Sequence, residues 1–319
     1  MKHGVWLACL CAAALSGCGV PDWWLGAERG VLLQGFDAVT RPGEPATLRV
    51  SLRGGSTLSG LSDYTVLLYR GDERIGAAKT DADGHADFTV TLSEPGLHRF
   101  MVTLDEAELG TPAVPTATLQ AGVYTSQTPF IVVDLDRTLV AEGFDMVLLA
   151  DPEPMPHAQA VMTALAAQYR VLYLTHRPEY LALRSRQWLV EHDMPAGPLL
   201  VSRTEEFLAG SEAYKTAAIE QLKQRFPEIR AGVGDKITDV LSYRANGLTG
   251  ILIIQPGRLT TAGRAELAKS LEALPDEAHV VTDWRQVQQV IEGRASYPPA
   301  AAREQLLAAA TTAAGEGQP

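Results

Sequence analysis

Past residue 18 the chain has no cysteine; its three are Cys9, Cys11 and Cys18. The body of the protein therefore holds no disulfide, no thiolate metal site and no cysteine nucleophile. Positive charge is also scarce: 27 lysines and arginines stand against 38 aspartates and glutamates, a formal net charge of −11. With a pI near 5.1 the chain lacks the basic surface that displaces counterions, so nucleic acid is excluded as a partner. No uninterrupted apolar run reaches the 18 residues of a membrane-spanning helix. Also missing are a Gly-x-Ser-x-Gly elbow, a His-Glu-x-x-His pair and a Gly-Lys-Ser/Thr phosphate loop. What is present is globular. The 319 residues are 46% apolar and 20% charged, enough for two domains and a tail.

Residues 1–17 read as an address. Lys2 precedes an apolar stretch from Val5 to Leu15, too short to span a bilayer but suited to the core of a signal peptide. Leu15-Ser16-Gly17-Cys18 then resembles the bacterial lipobox. That resemblance implies cleavage before Cys18, lipid on Cys18 and a protein held at the cell envelope. Gly19, where an aspartate would retain the protein elsewhere, is similar to lipoproteins on the periplasmic face of the Gram-negative outer membrane. An ordinary signal peptide with an accidental cysteine is the alternative. Residues 18–29 form a linker in which Trp23 and Trp24 suit either the headgroup level or the surface of the next domain.

Residues 30–115 read as a small all-β domain. Leu48, Val50 and Leu52 alternate with polar neighbours, as do Phe88, Val90 and Leu92, the period of half-buried strands. Tyr64 to Tyr69 suits a central strand, and Leu97 to Leu104 another. Turn signals such as Pro42-Gly43, Arg70-Gly71-Asp72 and Pro95-Gly96 separate them. The pattern suggests a sandwich resembling immunoglobulin-like or transthyretin-like modules. Asp81-Ala82-Asp83-Gly84 fails the calcium-loop pattern, since Ala86 and Leu92 stand where Gly and Glu are needed. It reads as a β-turn closing a hairpin.

From residue 116 to 292 short apolar strands alternate with helical stretches, the signature of βαβ units and a parallel sheet. Strands are expected at Phe130–Val133, Val171–Leu174, Leu199–Val201, Ile229–Val233, Ile251–Ile254 and His279–Val281. Active sites of open α/β sheets lie at the carboxyl ends of the strands. The residues there are Asp134-Leu135-Asp136-Arg137-Thr138, Thr175-His176-Arg177-Pro178 and Gly234-Asp235-Lys236-Ile237-Thr238-Asp239, with Lys215 near the start of an intervening helix. Residues 293–319, Ala-rich with Pro298-Pro299, read as a poorly ordered tail.

An apolar strand followed by Asp-x-Asp-x-Thr, then a strand-end Thr, a Lys and Gly-Asp-x-x-x-Asp, in that order, resembles the haloacid dehalogenase superfamily of phosphotransferases. The resemblance covers about residues 125–292. It implies a Rossmann-like domain and a Mg²⁺-dependent phosphomonoester hydrolase. Asp134 would be nucleophile and metal ligand, forming an aspartyl-phosphate. Asp136 would act as acid and base and bind the metal through its backbone carbonyl. Asp235 and Asp239 would complete the metal site, and Thr175 and Lys215 would hold the phosphoryl oxygens. The chemistry is consistent. A phosphate dianion repels an anionic nucleophile until a hard cation and positive side chains neutralise it. The family most often has Gly where this chain has Arg137, so Arg137 either reads a second anionic group or faces solvent. Arg177 pairs either with a substrate phosphate or with an acid of the protein.

Both slots where this superfamily inserts caps are short here, Leu139–Pro156 and Pro178–Gly197. The domain therefore reads as capless, open to a bulky or membrane-borne substrate. Val171 to Leu189 and Gly232 to Val240 look like the lipin-type phosphatidate phosphatase domain, relatives of which end some phosphatidylinositol transfer proteins. The expected substrate is a lipid phosphate such as phosphatidate, with a soluble phosphomonoester or a phosphoprotein also open. Two rival roles remain: a non-catalytic phospholipid sensor, and a structural lipoprotein whose β domain binds an envelope partner. Oligomeric state is not read from the sequence.

Overall fold

The computed structural model describes residues 31–54, 58–105, 115–143 and 151–315. The signal segment, Cys18, Trp23 and Trp24 lie outside them. The chain divides into two compact units.

The first unit takes the described residues up to Thr125, with Pro178–Trp188 and Pro198–Leu200. One sheet centres on β3 (Pro45–Gly54), which pairs with β1 (Val31–Gly35), β4 (Ser59–Gly60) and β7 (His85–Thr91). The other runs β2 (Ala38–Thr40), β9 (Thr116–Val123), β8 (Gly96–Leu104), β5 (Thr65–Arg70), β6 (Glu73–Lys79). Alternating apolar residues of both sheets meet in one core, Leu48, Val50 and Leu52 from β3 against Val66, Leu68, Phe100, Val102 and Leu119. This is the sandwich that the period-2 pattern implies.

Two expectations change here. The reading started the second domain at residue 116, but β9 pairs with β8 and β2 inside the first unit, which runs to Thr125. Its buried positions, Ala117, Leu119, Ala121 and Val123, alternate but are half alanine, so the hydrophobic signal is faint. The turn at Asp81–Gly84 closes no hairpin, because β6 and β7 belong to different sheets. Its sequence serves the turn itself: Asp81 Oδ1 accepts the amides of Asp83 at 2.9 Å and His85 at 2.8 Å.

The first unit also contains a buried ionic contact. Asp37 accepts the Arg186 guanidinium at 2.7 Å and the amides of Gln120 at 2.6 Å and Leu199 at 2.8 Å. Gln34 donates to the Tyr180 carbonyl, and Arg53 pairs with buried Glu179. Arg186 and Tyr180 come from the second cap slot, which holds a 3₁₀ turn (Glu179–Leu181) and a helix.

The second unit is built on a six-stranded sheet ordered β12 (Leu199–Ser202), β11 (Arg170–Pro178), β10 (Phe130–Val133), β13 (Ile229–Gly234), β14 (Thr249–Ile253), β15 (His279–Val281). β11, β10, β13, β14 and β15 pair in parallel. Counted in chain order this is 3-2-1-4-5-6, the doubly wound arrangement whose crevice opens beside the first strand. All four residues of β10 are buried, as a strand covered on both faces requires. Among the described residues the helices of the chain are α1 (Ala158–Ala166), α2 (Ala182–Glu191), α3 (Thr204–Ala209), α4 (Ser211–Arg225), α5 (Ile237–Ala245), α6 (Thr261–Ser270), α7 (Trp284–Ile291) and α8 (Pro299–Gly315); α2, through Trp188, belongs to the first unit and the others to the second. Among the described residues no helix is long and apolar enough to cross a membrane.

The tail expectation is also corrected. Residues 299–315 form α8, and Leu306 packs with Ala268, Leu271 and Leu274. The alanines that looked like low complexity are strong helix formers, and Pro299 suits a first helical position.

Candidate phosphoryl-transfer site

The site begins where β10 ends. The Asp134 amide donates to the Val233 carbonyl at 3.0 Å, carrying the parallel ladder one residue past the strand. Asp134 thus lies level with Gly234, the last residue of β13, and Asp235 follows it. Asp239 sits in the first turn of α5, where the helix dipole favours an acid. Lys215 shares the buried face of α4 with Ile219 and Leu222, at i, i+4 and i+7.

These elements converge. Lys215 Nζ donates to Asp134 Oδ2 at 2.7 Å and to Asp239 Oδ2 at 2.8 Å, and Asp134 Oδ1 accepts the Leu135 amide at 2.7 Å. One carboxylate oxygen each from Asp134, Asp235 and Asp239 fall within 4.8 Å of one another. Two glycines make room. A Cβ on Gly234 would come within 2.6 Å of Asp239 Oδ2, and one on Gly232 within 2.4 Å of the Tyr243 ring of α5. The sequence Gly232-Val233-Gly234-Asp235 is therefore what lets α5 bring Asp239 against the strand end.

Electrostatics leave this cluster short of positive charge. Buried Asp134 and Asp239 and half-buried Asp235 gather about the Lys215 ammonium, with Lys236 acting on Asp235 and Asp239 from nearby; within this cluster of four, negative charge exceeds positive by two when all are ionised. Burial, then the charges of Asp134 and Asp239, push the Asp235 carboxyl up to about 7. Asp239 is also raised, by burial first, against the opposing pull of Lys215. Burial alone would lower the Lys215 ammonium, but Asp134 and Asp239 outweigh it and hold it well above the usual lysine range. Asp235 Oδ1 and Asp239 Oδ1 are buried without a hydrogen-bond partner. Oxygen donors, two orphaned carboxylate atoms and a deficit of two charges fit a hard divalent cation such as Mg²⁺.

A second group lies beside it. Asp136 turns its carboxylate to Arg177, whose Nη2 donates to Oδ1 at 2.7 Å and whose Nε lies 3.2 and 3.1 Å from Oδ1 and Oδ2. Of the two options for Arg177, the structure takes the pairing with a protein acid. The carboxylate of Asp136 stands apart from the three that come together, so only its backbone carbonyl is left for the metal role that the resemblance assigns. Thr175 is fully buried, and its Oγ1 accepts the Arg177 amide at 3.3 Å. Lys215, expected on phosphoryl oxygens, is held by two carboxylates.

Arg137 is exposed and has φ +53°, the left-handed region where glycine is at ease. A glycine would adopt this backbone without strain, and the Arg137 side chain faces solvent. The cap slot after it is tied down near its start: Val140 bridges to Asp136 and to Pro154.

Sequence reasoning missed three supports. Trp284, fully buried at the start of α7, donates its indole N–H to the Thr138 carbonyl at 2.8 Å. Gln255, after β14, donates to the Ala141 carbonyl at 3.0 Å. Ser202 Oγ donates to the carbonyls of His176 and Arg177 at 3.2 and 3.0 Å. The Trp284 contact joins α7 to a carbonyl 146 positions earlier in the chain, a pairing that no local sequence pattern announces.

Residues 131–254 match the family model described as PITM 1-3, LNS2 domain. The match covers less than half of the chain and contains Asp134, Asp136, Thr175, Lys215, Asp235 and Asp239. It supports a lipin-like domain of the haloacid dehalogenase type in this part of the chain, and a phosphatase-type activity. No curated protein matches the chain. Among solved structures, the CARDB domain of the PF1109 protein from Pyrococcus furiosus is 17% identical over 30% of this chain and 87% of that one, with a TM-score of 0.23. The D00-D0 domain of Intimin is 13% identical over 29% of this chain and 48% of that one, TM-score 0.23. The Ig1-2 module of the Drosophila receptor tyrosine phosphatase DLAR is 9% identical over 34% of this chain and 61% of that one, TM-score 0.25.

Proposed function

We propose that the protein is a Mg²⁺-dependent phosphomonoester hydrolase that works through an aspartyl-phosphate on Asp134. The observation that carries this reading is the buried Asp134–Lys215–Asp239 contact with Asp235 beside it, at the carboxyl edge next to Asp136. Asp134, Asp235 and Asp239 would hold the metal, which when bound supplies positive charge to the phosphate. Asp134, oriented by Lys215 and the Leu135 amide, attacks phosphorus. Asp136 gives its proton to the departing alkoxide, then takes one from the water that releases phosphate. Thr175 offers its hydroxyl hydrogen to a phosphoryl oxygen.

The substrate we propose is a phosphomonoester on a lipid, phosphatidate first. The LNS2 match and the short cap slots support it. Attachment through Cys18 to the cell envelope would bring a membrane substrate to the enzyme at high effective concentration. The second reading is binding of a phospholipid headgroup without turnover. It is favoured by one observation: Arg177 and Lys215 are both already held on carboxylates.

Hydrolysis of para-nitrophenyl phosphate by the protein lacking residues 1–17 separates the readings. Turnover that needs Mg²⁺, stops with chelator and falls about a thousandfold or more in Asp134→Asn is expected. Turnover indifferent to chelator or to that substitution overturns the enzyme reading. A panel of phosphatidate in mixed micelles beside soluble esters, compared by kcat/KM, then tests the substrate. Preference for a soluble ester rejects the lipid.

A further inference from the structure

We infer that Arg177 is a positioning residue for proton transfer: it fixes the Asp136 carboxyl so that one of its oxygens faces the leaving group. This rests on the hydrolase reading above. The side chain of Arg177 is fully buried, whereas that of Asp136 keeps 20% exposure. The guanidinium is therefore less accessible than the acid it holds. The contacts are unequal. Oδ1 takes the 2.7 Å bond from Nη2 and a longer one from Nε, whereas Oδ2 takes only the 3.1 Å contact from Nε. Oδ1 is thus anchored, and Oδ2 keeps the freer lone pair to carry the proton.

The anchor is itself secured. The Arg177 amide donates to Thr175 Oγ1, and fully buried Ser202 donates to the Arg177 carbonyl. The backbone bearing the guanidinium is thereby pinned within β11 and to Ser202 of β12. A planar fork fixes both the distance and the plane of a carboxylate, which a lysine ammonium does not.

The proton balance is closed. As Asp134 forms its bond to phosphorus and the ester P–O bond breaks, the proton on Asp136 passes to the leaving alkoxide, giving the alcohol. Water then attacks the aspartyl-phosphate, its proton returns to Asp136, and the P–O bond to Asp134 breaks to release phosphate. Arg177 exchanges no proton with either.

A poorly held acid matters most when the leaving group is poor. The test compares wild type, Arg177→Lys and Asp136→Asn on 2,4-dinitrophenyl phosphate, phenyl phosphate and glycerol 3-phosphate, with kcat and KM separated. Arg177→Lys is expected to lose less than about tenfold in kcat on the activated ester and about a hundredfold or more on the alkyl ester, the scale of general acid catalysis. Asp136→Asn is expected to follow the same order, with KM little changed in both. An equal loss on all three esters, or a loss expressed in KM, assigns Arg177 to the phosphate and overturns the inference. No loss overturns it too. If Arg177→Lys does not fold, by circular dichroism, Ser202→Ala decides: a smaller loss confined to the alkyl ester supports the inference, and a uniform or absent loss overturns it. If wild type hydrolyses none of the esters, the hydrolase reading itself fails, an outcome distinct from these.

Discussion

In the proposed metal site, Asp235 is the residue at which a proton and a divalent cation would compete most directly. Its carboxyl is raised to about 7 from 3.8, with burial the main cause. Between about pH 4 and 7 the metal-free folded protein therefore binds a proton that the unfolded chain does not. The sign follows: the contribution of Asp235 to stability is greatest below the unfolded value and is lost as pH rises through that window. Without metal, Asp235→Asn should gain Tm relative to wild type as pH goes from 5 to 7.5. With Mg²⁺ the order should reverse, because only the carboxylate completes the site. A Tm difference that ignores both pH and Mg²⁺ would reject this account of the cluster. At this scale the sequence was informative where chemistry repeats at fixed spacing. Asp134, Asp235 and Asp239 stood in order along the chain, and the fold brings them together. The Arg177–Asp136 pair was open between two partners, because a contact 41 positions apart depends on which way a buried guanidinium turns.

The elements that carry these residues are positioned by close approach as much as by hydrophobic burial. α5 lies on β13 through Gly232, and a methyl there would overlap the Tyr243 ring. Gly232→Ala should therefore cost about 1–3 kcal/mol, as overpacked cores do, and weaken Mg²⁺ binding by displacing Asp239. Urea unfolding with a magnesium titration checks both, and a variant with unchanged midpoint and affinity would contradict the packing argument. α8 gives a second test. Leu306 is nearly fully buried in its cluster, so Leu306→Ala should cost about 2–5 kcal/mol. A disordered tail would show no cost at all. The strands were legible because each is a short apolar run or a clear alternation. α8 was not, because alanine repeats look the same in a helix and in a low-complexity tail. β9 was missed because alanine carries little hydrophobic contrast.

On the scale of the whole molecule, the division into two units does not follow the chain. Pro178–Trp188 comes after motif residues of the α/β sheet yet folds with the first unit. There Asp37 is buried and takes Arg186 and two amides. Asp37→Ala leaves that guanidinium without its carboxylate, and a loss of about 3–5 kcal/mol is expected by chemical denaturation. A loss under about 1 kcal/mol would mean that the pair contributes little. Nothing in local sequence announces this exchange, since Asp37 and Arg186 are 149 positions apart. The central claim concerns the other unit: Asp134 carries the phosphoryl group. The most direct measurement is acid quenching of the protein with radiolabelled acetyl phosphate and Mg²⁺, followed by mapping of the labelled peptide. The account predicts a hydroxylamine-sensitive label on the peptide containing Asp134, present in wild type and absent in Asp134→Asn or with chelator. Label elsewhere, or label that persists in Asp134→Asn, would contradict it.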